Sequence, residues 1–217
     1  MRKDNFIYLL VALQVYLVLL PILEHFQLLS EALIRPIAIT CLLAIGVWSL
    51  RDSKRIFRIG MALVVTGIAS NSLAAIQNSN AFQYLAITTL FVFLLLAIWN
   101  ALRQVIFGTE MNANRLFGAV CIYLMLGVNW ALMYGGLHMM DPDSFSGALG
   151  SNASDAGGDW IYYSFVTLTT LGYGDILPVS SIARALAYSQ AIVGVFYMAV
   201  LVAALVSTYA AEKRHDV

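Results

Sequence analysis

The sequence predicts an all-α membrane protein with six transmembrane helices, and with a re-entrant helix and an extended loop between the fifth and the sixth. Three observations carry that prediction. Hydrophobic residues make up 61% of the chain and charged ones only 11%, with a mean hydropathy of +0.81, which is the composition of a polytopic membrane protein. The apolar residues are gathered into six separate runs. Between the last two lies Thr167-Leu168-Thr169-Thr170-Leu171-Gly172-Tyr173-Gly174-Asp175, too polar and glycine-rich for a spanning helix. Non-helical backbone at membrane depth is tolerated only where protein buries it or where it lines a watery path.

The first run, Phe6 to Leu23, follows Arg2-Lys3 and is long enough to cross the hydrocarbon core at about 1.5 Å per residue. It is too long for a signal-peptide core and lacks a small-residue cleavage site, so it is expected to be a retained span. Glu24, His25, Glu31 and Arg35 mark an amphipathic connection to the second run, Pro36 to Leu50, which is short for a span. Arg51, Lys54, Arg55 and Arg58 form the densest basic cluster, a topology signal for the cytoplasmic face. The third run, Ile59 to Ile76, ends at the polar tip Gln77-Asn78-Ser79-Asn80, and the fourth extends from Phe82 to Phe107. The fifth, Leu116 to Gly136, leads into a Gly-, Ser- and Asp-rich segment, His138 to Asp159, that reads as an exposed loop. Trp160 to Thr169 is too short to span and reads as a re-entrant half-helix, closed off by Pro178 before the last run, Ile182 to Tyr209. With the N-terminus inside, ten of the twelve basic residues fall on the cytoplasmic side, leaving only Arg35 and Arg184 outside.

The charges and cysteines exclude several classes of function. The formal net charge is zero and no basic run or nucleic-acid motif is present, so there is no electrostatic case for binding nucleic acid. Cys41 and Cys121 both sit in apolar runs and read as small buried hydrophobes, not as a disulfide or a metal site. His25, His138, Asp141, Asp143, Asp155 and Asp159 show neither metal-ligand spacing nor a nucleophile with a paired base, so enzymatic activity is not expected. A secondary transporter would need paired broken helices or an intramembrane carboxylate, and neither is found.

The glycines of the polar stretch bear on where its carbonyls can point. Carbonyls of consecutive strand residues point in alternate directions. Gly172 and Gly174 can take positive φ without a Cβ penalty, which allows successive carbonyls to turn to one side.

The stretch matches T-x-x-T-x-G-Y-G-D at all six specified positions and so resembles the filter of the potassium-channel superfamily, with Leu171 where valine is commonest. Leu116 to Tyr209 is similar to that family's pore module of outer helix, pore helix, filter and inner helix. The resemblance implies coordination of permeant potassium by Thr170, Leu171, Gly172, Tyr173 and Gly174, with no other cofactor. It implies that Thr167, Thr169 and the aromatic Trp160, Tyr162 and Tyr163 support the filter, with Tyr162 the better placed to hydrogen-bond Asp175. Gly194 stands where the family often has a hinge, although a glycine there also suits close helix packing. The run Ala191 to Val202 is nearly free of polar groups, as expected for a cavity that holds a hydrated ion without binding it.

Residues 1–110 are expected to form a four-helix scaffold and residues 111–217 the pore domain. Four spans before a pore resemble voltage-gated channels, but Phe82 to Asn100 contains no Lys, Arg, Asp or Glu, and only Arg103 lies near. A charge crossing the membrane field is worth about 2.3 kcal/mol per 100 mV, so a steep voltage response has no energy source here. The chain is therefore most similar to bacterial six-span channel proteins that lack a voltage sensor, a match that also rests on Phe117-Gly118-Ala119, Tyr123, Gly127 and Ala183-Arg184. That family implies a homotetramer in the cell membrane, surrounded by lipid, with both termini cytoplasmic. A weakly selective cation channel or a secondary transporter is the alternative.

Overall fold

A computed structural model of the chain describes residues 5–19, 21–22, 26, 43, 46, 54–77, 79–107, 113–149 and 156–215. These form α1 (Asn5–Gln14), continued as a π-helix over Val15–Leu19, then α2 (Lys54–Gln77), α3 (Asn80–Phe107) and α4 (Ala113–Met140). A 3-10 turn (Pro142–Ser144), β1 (Phe145–Gly147), α5 (Ala156–Leu168), β2 (Ile176–Pro178) and α6 (Ser181–His215) complete the order.

Among the described residues four helices are long and apolar enough to cross a membrane: Lys54–Ala74, Asn80–Ile106, Asn114–Met140 and Ser181–Leu201. They correspond to the third to sixth predicted spans. The first predicted run contains the shorter apolar helix Phe6–Leu19. The second, Pro36 to Leu50, lies outside the described residues except for Leu43 and Gly46, both helical.

The spanning helices carry hydroxyl residues that hydrocarbon would penalise if their oxygens were left unpaired. Four of them turn back onto their own helix: Thr66 Oγ1 donates to Ala62 O at 2.9 Å, Ser70 Oγ to Thr66 O at 2.7 Å, Ser72 Oγ to Ile68 O at 2.9 Å and Thr89 Oγ1 to Leu85 O at 2.6 Å. In this way Thr66, Ser70 and Ser72 of α2 pair their hydroxyls within the helix itself.

The chain divides into two compact units, residues 1–126 and 127–217, and the division falls inside α4. In the first unit α2 packs on α3, with Gly67 facing Thr89. Phe6 of α1 is fully buried, its backbone N–H donating to Asn114 Oδ1 at 3.1 Å and its carbonyl accepting from Cys121 Sγ at 3.5 Å. Cys121 is a free, buried thiol, as its apolar run suggests, while Cys41 lies outside the described residues. The Arg115 guanidinium donates to the carbonyl of Val105.

The second unit is built on an aromatic core of Tyr134, Phe145, Trp160 and Tyr163, closed by Ala131, Ile176 and Ala183. Edge-on contacts join Tyr134 to Tyr163 at 4.8 Å and to Phe145 at 5.8 Å between ring centroids, the geometry that aromatic quadrupoles favour. Phe145 also lies 4.8 Å from Trp160.

Phe145 changes the reading of the His138 to Asp159 segment as an exposed loop. Its polar composition conceals one apolar anchor, and Ser144 and Phe145 are both buried. β1 pairs antiparallel with β2 in the register Phe145↔Pro178, Ser146↔Leu177 and Gly147↔Ile176. The pairing extends at both ends, with Ala148 N donating to Asp175 O at 2.9 Å, and Val179 N and Ser180 N to Ser144 O at 2.8 and 3.2 Å. Ser180 then caps α6: its Oγ accepts from Ala183 N at 3.2 Å, satisfying a first-turn amide that the helix cannot.

Candidate functional site

Residues Thr169 to Asp175 run as an exposed, irregular segment from the end of α5 to β2. A helix ends with carbonyls that have no intrahelical partner. Here the following chain supplies the donors: Thr169 N reaches Phe165 O at 3.0 Å, Thr170 N reaches Thr167 O at 3.0 Å, and Leu171 N and Gly172 N share Val166 O at 2.9 and 3.3 Å. Thr169 Oγ1 also donates to Phe165 O at 2.7 Å. The helix end and the loop thus satisfy each other, and the amides are spent facing the helix. Among the described residues no donor reaches the carbonyls of Thr170, Leu171, Gly172, Tyr173 or Gly174.

The backbone dihedrals explain what those carbonyls can do. Thr170, Gly172 and Gly174 have φ of 60°, 58° and 80°, while the intervening Leu171 and Tyr173 are not in the positive region. Left-handed geometry at every second residue cancels the alternation of a normal strand, so successive carbonyls can lie to one side. A Cβ built on Gly172 or Gly174 meets nothing within 4 Å, so conformation and not space favours glycine at both positions. Thr170 is the residue that sequence reasoning did not place in this conformation. A β-branched side chain at positive φ is a true outlier, at a cost of order 1–3 kcal/mol, and such strain gathers at functional sites.

The residues expected to brace this loop have the following surroundings. Tyr162 donates its hydroxyl to Asp175 Oδ2 at 2.6 Å. That bond, to a carboxylate, pushes the Tyr162 phenol up to about 12 and holds the Asp175 carboxyl below its ordinary value. Trp160 and Tyr163 lie in the aromatic core behind. Gly194 of α6 sits against the end of α5, where an added Cβ would come within 2.1 Å of Leu168 O. Close approach accounts for a glycine at that position without a bend.

Sequence reasoning passed over a second set of residues. Tyr134 Oη donates to Gln190 Oε1 at 2.6 Å, Gln190 Nε2 donates to Ser164 Oγ at 2.7 Å and Ser164 O at 3.1 Å, and Ser164 Oγ donates to Gly127 O at 2.6 Å. All three side chains are fully buried. A lone glutamine at the head of an apolar helix run was the available signal, because a polar side chain at membrane depth is costly unless paired. Gly127 itself is pressed against Phe165, whose ring an added Cβ would meet at 2.5 Å.

Comparison with known families falls on the same part of the chain. Residues 115–211 match a family model described as Ion channel, Ion_trans_2. This segment runs from the first turn of α4 through most of α6 and includes every supporting and loop residue named above, so it is similar to the ion-channel family in the part that bears the site. No curated protein and no solved structure matches the chain.

Proposed function

We propose that this chain is one subunit of a potassium-selective channel that passes ions down their electrochemical gradient. The observation that carries the reading is the run of positive φ at Thr170, Gly172 and Gly174, with the amides of Thr169 to Gly172 bonded back to α5 and the carbonyls left free. Such a row of oxygens can replace the hydration shell of a monovalent cation. In this reading Thr170, Leu171, Gly172, Tyr173 and Gly174 coordinate potassium, while Thr167, Thr169, Asp175, Trp160, Tyr162 and Tyr163 hold them in place.

The chain carries one such row, and enclosing an ion takes four around an axis, so the functional unit is a homotetramer in the cell membrane. A filter row without its neighbours would leave exposed carbonyls in a low-dielectric slab, at several kcal/mol each. The basic residues orient both termini to the cytoplasm and the loop to the outer face.

The deciding experiment places the purified full chain in liposomes under opposing potassium and sodium gradients. A reversal potential that follows potassium supports the reading. One that follows both ions equally supports a weakly selective cation channel, and flux coupled to a second solute supports a transporter.

A further inference from the structure

Gln190 and Gly194 are one turn apart on α6, and the two residues they meet on α5, Ser164 and Leu168, are likewise one turn apart. Side chains four residues apart lie on one helix face. The two helices are therefore gripped twice in the same register, by an amide at one point and by backbone contact at the other. Val166, whose carbonyl accepts the amides of both Leu171 and Gly172, lies between these two grips.

We propose that Gln190 is a positioning residue for the filter, the side chain through which α6 fixes the part of α5 that holds the Leu171 and Gly172 amides. The proposal rests on the reading of residues 170–174 as a filter. Gln190 is suited to the task because its amide is fully used: its oxygen accepts from Tyr134 and its nitrogen donates both hydrogens to Ser164. Ser164 in turn donates to Gly127 O, so α4, α5 and α6 are joined through one buried relay. A satisfied polar network in a low-dielectric interior specifies a single arrangement, because any displacement leaves a buried group without a partner. An apolar side chain of the same volume at 190 would fill the space and release the register.

The test uses the full chain reconstituted in planar bilayers as wild type, Gln190→Leu, Ser164→Ala and the double variant. Potassium-to-sodium permeability ratio and mean burst duration are read, neither of which a purely space-filling role would move. Each single variant is expected to change one or both by about tenfold, and the double variant no more than the larger single effect, because both substitutions cut the same link. Wild-type ratio and bursts in Gln190→Leu, or single effects that multiply in the double variant, would overturn the proposal. If Gln190→Leu does not assemble, Ser164→Ala decides: it removes the shared hydroxyl and must produce the shift by itself. Should the wild-type chain pass sodium as readily as potassium, the filter reading fails, and the burst durations of the variants still decide whether Gln190 governs conduction.

Discussion

At position 172 the backbone dihedral, and not the surrounding space, decides which residues are tolerated. Alanine there meets no atom within 4 Å but must adopt a φ of 58°, a left-handed conformation costing an L-residue about 1–2 kcal/mol. On the proposed reading as a potassium channel, Gly172→Ala is therefore expected to express and assemble normally while losing selectivity or conduction. Normal selective currents from that variant would show that carbonyl direction at 172 is unimportant. Asp175 and Tyr162 form the other pair whose behaviour is set by single atoms. The folded carboxyl is held below its ordinary value, so the bond contributes fully above the ordinary carboxylate pKa, and its contribution is lost as pH falls through the lowered one. On the alkaline side the phenol is raised, so its contribution is complete below the ordinary tyrosine value and is lost as pH rises through about 12. On the proposed reading, which sets this pair on the outer face, Tyr162→Phe should move the acid loss of current to higher external pH, measured as current against pH on that side. Identical acid profiles for the two proteins would mean that the bond does not support the filter.

The helices α5 and α6 show what patterning can and cannot reveal. The short helix before the loop is legible because Trp160 to Thr169 is too brief to span, and the loop because its glycines are spaced for positive φ. Helix contacts are less legible, since a glycine that permits a hinge and one that permits close packing look the same in a sequence. Gly194 illustrates the difference: an added methyl would lie 2.1 Å from Leu168 O, a backbone atom that cannot swing aside. Overpacking of this kind costs typically 1–3 kcal/mol. Gly194→Ala should accordingly lower the thermal stability of the detergent-purified protein. A variant as stable as wild type, but altered in gating, would favour a hinge instead. Gln190 and Tyr134 escaped notice for a related reason: their partners lie on helices distant in sequence, and no periodicity reports a contact across helices.

For the whole chain, the distribution of charge is as informative as any contact. α3 holds no charged residue from Phe82 to Asn100, and Arg103 lies exposed near its end. Arg103→Gln should leave the voltage dependence of open probability shallow and unchanged, as measured in bilayers across a range of potentials. A marked change in steepness would identify a sensor in the first unit. The paired strands β1 and β2 bear on the molecule in another way. Strands of three residues have little stability of their own, and this pair is secured by the burial of Phe145 among Tyr134, Trp160 and Tyr163. Through Ala148 the pair also holds the peptide of Asp175. The loop from α5 to β2 is in effect a cable anchored at both ends, at Val166 and at Ala148, and tension applied to the segment around Phe145 from outside would be delivered to its far anchorage.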